Sequence, residues 1–479
     1  MAANFVSSIL ARAAAQPQQT LLAWPAAAGP ARTYTGHDLA QRVAGYRQAL
    51  AGQGVRPGQR VLLLLPVGFE LICALLAVLA QGGAAVLPPA GVSAGGLLRL
   101  VRRGRVAVAI GPRPLRGPLG WLVRGLGPKW LAASRLPAGP FPLQPPQLVP
   151  PGQAALISHS SGSTGPPKQV VRSHQVLLAQ HAVLKQIFPP RAGQRDFPLF
   201  PNVLLHNLSA GIASVLPALS WADLPGLDPA RLVRQLAAEQ VHTLTGNVFY
   251  FQRLLPALRA WPGGFPAVAG LGVGGSPVPE RLLRDLQQVF AGAAVHAIYG
   301  SSEAEPIAVR QFTAGAPADP RGGYRVGPVQ PSLACRLLPC GELLLPGPLR
   351  AAVGEITVRG PHVATAAADG WLRTGDFGYF DAAGELWLTG RQGNAALHQG
   401  VQHYQLEHVL QHLPGIGRVA ARAAVGGFVV YFEGPATEAA IRQVLAAQFP
   451  PGLVTAIHRR PRLPVDQRHH SKIRYDQLR

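Results

Sequence analysis

Hydrophobic positions along this chain form short apolar runs that alternate with helical stripes. The runs Val61–Leu65 and Ala84–Leu87 predict buried strands, and the segment between them, Phe69–Leu79, predicts a buried helix. The second half repeats this order, because the amphipathic pattern of Glu280–Phe290 precedes the apolar run Val295–Tyr299. Strands that alternate with helices are typical of a parallel sheet covered by helices.

The pattern changes along the rest of the chain. Residues 111–153 are dense in Pro and Gly, which predicts an irregular connection, whereas Leu204–Leu219 predicts one largely apolar helix. Short apolar runs between Gly and Pro turns from Tyr324 to Leu388 predict a β-rich subdomain. We therefore predict an α/β fold. It has a large N-terminal domain of helix-covered β-sheets plus a β-rich subdomain, residues 1–390, and a small α+β C-terminal domain, residues 391–479.

Composition narrows the class of protein. A chain of 479 residues with 48% hydrophobic and 14% charged residues is globular and long enough for more than one domain. The net charge of +22 points toward nucleic acid. However, the arginines are scattered, and no long basic run is interleaved with aromatic residues. We therefore expect no nucleic-acid partner and assign the charge a role in attracting anionic small molecules.

The chain also carries signals about its compartment. The apolar stretch from Val61 to Leu87 is interrupted at Pro66 and Glu70, so its pieces are too short to cross a bilayer and we expect no membrane insertion. The N-terminus lacks a basic region ahead of an apolar core, and the three cysteines have neither metal-ligand nor disulfide spacing. These features predict a protein of the reducing cytoplasm.

One stretch combines residue types that bind phosphate. Residues 160–168 are Ser-Ser-Gly-Ser-Thr-Gly-Pro-Pro-Lys and follow the apolar run Ala154–Ile157. Glycine lets backbone N–H groups turn toward an anion, the hydroxyls add donors, and Lys168 adds a positive charge. Lys168 is one of only four lysines among 44 basic residues, which favours a specific role for it. A Ser/Gly linker is the alternative, and the spacing is not that of a Walker A loop.

Five motifs, in one order along nearly the whole chain, resemble the adenylate-forming superfamily of acyl-CoA synthetases, peptide-synthetase adenylation domains and firefly luciferase. They are Ser160–Lys168, similar to T-S-G-S-T-G-x-P-K; Gly274-Gly275-Ser276-Pro277, similar to the glycine turn beside adenine; Tyr299–Glu303, similar to Y-G-x-T-E; Gly370–Asp376 with Gly390-Arg391, similar to G-W-x-x-T-G-D and G-R; and Leu463–Ile473, similar to the C-terminal lysine motif. The resemblance implies activation of a carboxylic acid to acyl-AMP, with ATP and Mg²⁺ as cofactors and release of pyrophosphate.

The resemblance also implies a role for each motif residue. The β- and γ-phosphates would be held by Lys168 with Ser160, Ser161, Gly162, Ser163, Thr164 and Gly165. Tyr299 would stack on adenine, and Asp376 would accept hydrogen bonds from the ribose hydroxyls. The residues that would bind this part of the nucleotide are Gly274, Gly275, Ser276, Tyr299, Gly300, Ser302, Asp376 and Arg391. Glu303 would bind Mg²⁺ with Thr164. Lys472 would neutralise charge between carboxylate and α-phosphate, so the implied catalytic residues are Lys472, Glu303 and Lys168.

Departures from the family pattern leave the acyl acceptor open. After Gly390-Arg391, Asn394 and Leu397 replace the Asp and Lys of the family's hinge segment, which puts transfer to CoA in question. The ending 464–473 is similar to the P-V-D-x-R-H-N-A-K-I of β-lactone synthetases from olefin biosynthesis, but departs from it at His470 and Ser471. The main hypothesis is transfer to CoA or to a carrier-protein thiol. The alternatives are lactone closure of a 3-hydroxy acyl adenylate without CoA, and a silent nucleotide-binding relative.

The resemblance places the acyl pocket in Leu204–Gly211 and Leu244–Phe251. Leu208, Phe249 and Phe251 in these segments are apolar and no counter-charge accompanies them. This composition favours a fatty or otherwise apolar acid over an amino acid, although a buried core would have the same composition.

Overall fold

The computed structural model describes residues 3–478 except 26–30, 90, 114–124, 126, 138–139, 161–167, 200–202, 222, 316–318, 348, 366 and 467–469. The chain divides into two compact units, Met1–Asp223 and Leu224–Arg479. The predicted domain boundary at Gly390 falls inside the second unit and stays a prediction. In the described part of the chain, no helix is long and apolar enough to cross a membrane.

The first unit alternates strands and helices as predicted. Its strands are β1 Thr20–Trp24, β2 Arg32–Thr35, β3 Arg60–Leu63, β4 Ala84–Val86, β5 Val106–Gly111, β6 Lys129–Ala132, β7 Ala154–Ser160, β8 Lys168–Ser173, β9 Arg195–Pro198 and β10 Ala213–Val215. Its helices are α1 Ser7–Ala15, α2 Gly36–Gly52, α3 Phe69–Ala80, α4 Ala94–Gly104, α5 His174–Ile187 and α6 Val203–Ala210. One sheet has the order β6-β5-β3-β4-β7-β8, and β9, β10, β1 and β2 lie side by side.

The core of the first unit follows from its apolar runs. In α3, every residue from Ile72 to Ala80 is buried, which explains why this helix has no polar face. Helix α2 starts where Thr35 and Asp38 form a capping box, each side chain bonding the other residue's backbone N–H. The buried strand–helix–strand segment therefore lies where the sequence predicts it.

Two sequence predictions for the first unit are wrong. The expected helix Leu204–Leu219 ends at Ala210, because Gly211 takes a left-handed φ of +77°, and Ala213–Val215 then pairs in parallel with β1 and β9. The connection 111–153 contains a strand, β6, which pairs with β5. A Cβ at Gly111 would lie 2.2 Å from the Trp130 ring, so this glycine lets the tryptophan pack against the strand.

The second unit contains three groups of strands. The strands are β11 Thr243–Asn247, β12 Gly270–Gly274, β13 Ala294–Tyr299, β14 Ala308–Gln311, β15 Tyr324–Gly327, β16 Ala334–Leu344, β17 Arg350–Arg359, β18 Leu372–Phe380, β19 Leu386–Arg391, β20 Val419–Ala424, β21 Gly427–Phe432 and β22 Val454–Arg459. The helices are α7 Pro229–Ala238, α8 Val248–Arg259, α9 Glu280–Val289, α10 His403–Gln411 and α11 Glu438–Gln448. The strand orders are β14-β13-β12-β11, then β15-β19-β18-β17-β16, then β20-β21-β22.

Helix α10 lies between the C-terminal strands and the β-rich subdomain. Its residues from His403 to Leu410 are all buried. The Gln405 amide donates to the carbonyls of Arg321 and Leu344, at 2.7 and 2.9 Å. His408 is fully buried and bonds the Gly323 carbonyl and the Glu280 N–H, which requires one ring nitrogen to donate and the other to accept. Burial lowers the pKa of His408 to about 3, in agreement with this neutral form.

Asn394 fixes the segment after β19 to strand β20. Its side chain is 4% exposed. The amide nitrogen donates to the Ala421 carbonyl at 2.9 Å, and the amide oxygen accepts from the Ala423 N–H at 2.8 Å. An amide satisfies both backbone groups, whereas the aspartate of the family's hinge segment, when ionised, has no proton to donate.

We expect Asn394→Asp to lower the free energy of unfolding by about 1–3 kcal/mol at neutral pH, because the change removes a buried donor and places a charge beside a carbonyl oxygen. Urea unfolding monitored by circular dichroism measures this. Gln443→Glu, the same amide-to-carboxylate change on an exposed turn of α11, is the matched control. Equal losses in the two variants would contradict the role given to Asn394.

A second prediction concerns Glu407, which is 4% exposed and accepts bonds from the Ala421 N–H and the Tyr475 hydroxyl. Burial raises the pKa of Glu407 to about 8, against an ordinary value of 4.5, although both bonds oppose the shift. Between these values the folded state holds the proton that the unfolded state has released. Stability therefore falls as pH rises through this window, by at most about 1.4 kcal/mol per pH unit.

Glu407→Gln should remove the fall in stability that ionisation of Glu407 causes. The variant should therefore gain stability relative to the parent as pH rises from 5 to 8. Urea unfolding of both proteins across that range measures the difference. Glu438→Gln, on the exposed face of α11, should leave the pH dependence unchanged. Parallel stability curves for the parent and the Glu407 variant would contradict the prediction.

Candidate active site

The predicted nucleotide residues of the second unit gather at one edge of its parallel strands. Strands β11, β12 and β13 are parallel, and their register pairs Asn247 with Gly274 and Val273 with Ala297. The carboxyl ends of all three therefore meet at one edge, and β13 ends there at Tyr299. In open α/β sheets this edge is where ligands bind.

The glycine turn after β12 is shaped by close contact with β13. A Cβ at Gly274 would lie 2.7 Å from the Ile298 carbonyl oxygen, so no larger residue fits without moving the strand. Gly275 has a left-handed φ of +80°, which favours glycine. Gly275 and Ser276 are half-buried and follow the carboxyl edge. The turn thus lies beside the strand that ends at Tyr299, as expected for two motifs serving one ligand.

Tyr299, Asp376 and Arg391 form one hydrogen-bonded cluster. Asp376 is 7% exposed, its Oδ2 accepts the Tyr299 hydroxyl at 3.0 Å, and its Oδ1 pairs with the Arg391 guanidinium. Burial, followed by the Asp376 carboxylate, raises the pKa of Tyr299, so the phenol stays protonated and donates. The same carboxylate raises the pKa of Arg391. Three residues that are up to 92 positions apart in sequence are thereby brought together.

The backbone around Asp376 explains how its side chain is aimed. Asp376 on β18 pairs with Arg391 on β19, so the two side chains leave neighbouring strands at the same level. Gly375 takes a φ of +73°, and the Thr374 hydroxyl accepts the Asp376 N–H at 3.0 Å while donating to the Ile356 carbonyl at 2.8 Å. Thr374 thus anchors the turn that presents the carboxylate.

The turn after Tyr299 carries Ser302 and Glu303, both half-buried. It is closed by the Ser301 N–H, which donates to the Ala304 carbonyl at 2.8 Å, and a Cβ at Gly300 would lie 2.8 Å from that oxygen. The Ala364 N–H donates to the Glu303 carbonyl at 2.7 Å and fixes the turn from outside. Gly300 is therefore required by the turn itself.

Glu303 fits the chemistry of Mg²⁺. The described residues contain no group of three His, Cys, Asp or Glu side chains able to hold a metal ion. Magnesium at phosphate sites typically keeps several waters and takes one or two carboxylates, with the substrate phosphates completing its shell. A single carboxylate such as Glu303 suits that mode of binding, and Thr164 lies outside the described residues.

Lys472 sits on a hairpin closed by Asp466. Val465 and Ile473 pair as an antiparallel bridge. Asp466 is 5% exposed, and its carboxylate accepts the Lys472 N–H at 3.0 Å while its own N–H donates to the Lys472 carbonyl at 2.9 Å. Asp466 was not among the predicted site residues. The sequence signal for it is the aspartate six residues before the lysine, in the ending similar to P-V-D-x-R-H-N-A-K-I.

The lysine hairpin packs against the start of α8, which directly follows the carboxyl end of β11. The His470 ring lies 5.6 Å from the Phe249 ring, centroid to centroid. The Arg418 guanidinium lies 6.0 Å from the same ring and donates to the His470 carbonyl at 2.9 Å. Phe249 is 8% exposed, so the hairpin and Arg418 lie against one side of it. This contact brings the hairpin to the edge that carries Gly274 and Tyr299.

The predicted phosphate loop belongs to the first unit and connects two paired strands. Ser160, the last residue of β7, pairs with Lys168, the first residue of β8, and the Lys168 side chain is exposed. The predicted residues Ser161, Gly162, Ser163, Thr164 and Gly165 lie outside the described part of the chain, as does the side chain of Ser160. Their roles stay predictions.

The predicted acyl-pocket residues separate into two kinds. Leu208 and Phe251 are 1% and 0% exposed, and Leu208 belongs to the main core of the first unit. Residues packed this tightly support the fold. Phe249 is the predicted pocket residue that contacts the lysine hairpin.

Comparison with known proteins places this chain among AMP-binding enzymes. The model of the family described as AMP-binding enzyme matches residues 10–366. An olefin beta-lactone synthetase from Stenotrophomonas maltophilia is 31% identical over 68% of this chain and 66% of its own length. An indoleacetate–CoA ligase from Aromatoleum aromaticum is 32% identical over 57% of this chain and 54% of its own length. The chain thus spans between half and two thirds of these relatives.

Solved structures share the fold. O-succinylbenzoate coenzyme A synthetase from Bacillus subtilis, in complex with ATP and magnesium ion, has a TM-score of 0.79 at 19% identity, covering 98% of this chain and 99% of that one. An amide bond synthetase from Marinactinospora thermotolerans has a TM-score of 0.77 at 20% identity, covering 96% and 97%. The predicted α/β fold class is confirmed. The chain belongs to the AMP-binding enzyme family.

Proposed function

We propose that this protein uses ATP to activate a carboxylic acid as acyl-AMP, releasing pyrophosphate. The observation that carries the proposal is the position of the Lys472 hairpin. It lies against Phe249, at the strand edge that also bears the glycine turn and Tyr299. A cation, a carboxylate and a glycine turn at one sheet edge are the groups that a nucleotide and an acid require together.

The chemistry follows from the residue types. A carboxylate oxygen forms a bond to the α-phosphorus of ATP while the bond from that phosphorus to the bridging oxygen breaks, and pyrophosphate leaves with the electron pair. Lys472 would neutralise the charge that gathers between carboxylate and α-phosphate. Bound Mg²⁺, held by Glu303, would supply charge neutralisation on the phosphates. Lys168 would add a positive charge from the phosphate loop.

Asp376 would hold the ribose. Each oxygen of its carboxylate already accepts one hydrogen bond, from Tyr299 and from Arg391. A carboxylate has about four acceptor positions, so acceptor capacity remains for ribose hydroxyls. The two existing bonds fix the carboxylate before the ligand arrives, which reduces the entropy lost on binding. Tyr299, with its hydroxyl bonded to Asp376, would offer its remaining ring surface to adenine.

The acyl acceptor is the second half of the proposal. CoA or a carrier thiol is the main candidate, because several relatives are named as CoA ligases. Lactone closure is the second candidate, favoured by the beta-lactone synthetase relatives and by the ending 464–473. Asn394 bears on this choice, because its two bonds to β20 hold the hinge segment in one arrangement. We also propose a cytoplasmic location, because the three cysteines form no disulfide and free thiols suit a reducing compartment.

We expect Lys472→Ala to lower acid-dependent ATP–pyrophosphate exchange by about 10²–10³-fold, the usual effect of removing one charge-stabilising group. ATP binding, measured by calorimetry, should change less than exchange does. Lys185→Ala, an exposed lysine of α5, is the matched control and should keep full activity. Background exchange by the parent protein with a broad panel of acids would overturn the activation proposal and favour a silent nucleotide-binding relative.

The acceptor is tested by mass analysis of products. With decanoic acid, ATP and CoA we expect the acyl-CoA thioester. With 3-hydroxydecanoic acid and no CoA, a product one water lighter than the acid would instead establish lactone closure. Acyl-AMP that accumulates unchanged in the presence of CoA would contradict the thioester as product.

A further inference from the structure

His470 occupies a backbone conformation that suits few residues. Its φ is +52°, in the left-handed region, where non-glycine residues are uncommon and asparagine, aspartate and histidine are the ones enriched. The similar ending P-V-D-x-R-H-N-A-K-I has asparagine at this position and alanine at the next. This chain instead places an imidazole and a hydroxyl directly before Lys472.

The conformation is held by bonds on both sides of the residue. The His470 N–H donates to the Asp466 carbonyl at 3.1 Å, and the His470 carbonyl accepts from Arg418 at 2.9 Å. The left-handed turn directs the ring onto Phe249. The imidazole is thereby fixed at the strand edge by the hairpin that carries Lys472.

Within the described part of the chain, polar atoms beside Lys472 lack protein partners. Among the described residues, no side chain or backbone group hydrogen-bonds a ring nitrogen of His470, whose side chain is half-buried. In the same set, the Ser471 hydroxyl is buried without a hydrogen-bond partner. Buried polar groups are nearly always satisfied, so this hydroxyl is a candidate hydrogen-bond partner for a bound ligand.

We propose that His470 is a specificity residue that contacts the acyl group of the substrate and hydrogen-bonds a polar substituent close to the carboxylate. The inference rests on the proposed function, because it takes Lys472 to meet the reacting carboxylate. His470 and Lys472 are two positions apart, so their Cα atoms are separated by at most about 7 Å. This short separation places the imidazole toward the carboxylate end of the acyl group. The Phe249 ring lies beside the imidazole. The two imidazole nitrogens remain able to donate or accept a hydrogen bond.

The test compares acids with and without a hydroxyl near the carboxylate: decanoic, 2-hydroxydecanoic and 3-hydroxydecanoic acid, in ATP–pyrophosphate exchange. We expect the parent to prefer one of the hydroxy acids in kcat/KM. His470→Phe keeps an aromatic ring against Phe249 but has no ring nitrogen. It should reduce that preference at least 5-fold while the KM for ATP changes less than 2-fold. His470→Asn suits the left-handed backbone and retains a hydrogen-bonding group, so it should keep most of the preference.

His458→Phe is the matched control, because His458 is an exposed histidine of β22 that lies beside Tyr431. It should leave the preference unchanged. A parent that exchanges pyrophosphate with all three acids equally well, or a His470→Phe variant with the parent's preference, overturns the role of His470 and leaves acid activation intact.

A binding measurement separates this inference from catalysis. Decanoyl and 3-hydroxydecanoyl sulfamoyl adenosine, which are stable analogues of acyl-AMP, are titrated into the parent and the variants by calorimetry, with AMP as reference. His470→Phe should weaken the hydroxyacyl analogue relative to the acyl analogue and leave AMP unchanged. Equal weakening of both analogues would overturn the hydrogen bond. Failure of the parent to bind either analogue or AMP would overturn the activation proposal together with the inference.

Discussion

The Asp376 carboxylate, bonded by the Tyr299 hydroxyl and the Arg391 guanidinium, is the constraint on which the candidate site depends. A carboxylate this deeply buried is tolerated only when it is paired and hydrogen-bonded. The pairing therefore obliges strand β13 to stay against β18, and obliges β19 to end beside both. Because removal of Arg391 would leave an uncompensated buried charge, the cluster fixes Tyr299 and Asp376 with respect to each other.

Helix α10 imposes the same kind of constraint on the C-terminal strands. Two of its buried polar side chains have specific backbone partners, Gln405 on the β-rich subdomain and Glu407 on β20. Buried polar contacts of this type define one arrangement, since any shift leaves donors and acceptors unsatisfied. Asn394 adds two more bonds to β20. The hairpin with Lys472 is tied to this block by the Tyr475 hydroxyl, which donates to Glu407, and its His470 ring lies beside Phe249.

The hairpin itself uses one carboxylate to hold a flexible segment. The Asp466 carboxylate accepts the Lys472 N–H, and the Asp466 N–H donates to the Lys472 carbonyl. These two bonds hold the lysine in place, in a segment where fraying would be the usual outcome. Arg418 and His470 then fix the hairpin against an aromatic ring.

The sequence by itself determined the alternation of strands and helices, the α/β class and the family, because apolar periodicity and glycine-rich turns are local properties of the chain. It also pointed to Tyr299, Asp376 and Arg391, which the fold brings together. It could not determine that helix Val203–Ala210 stops at Gly211 and is followed by a strand, because pairing with β1 and β9 is a tertiary effect. The contacts of Arg418 and His470 were likewise decided by tertiary structure. Their bonds join residues that are far apart or hold an unusual backbone angle, and neither property is visible in the order of residues.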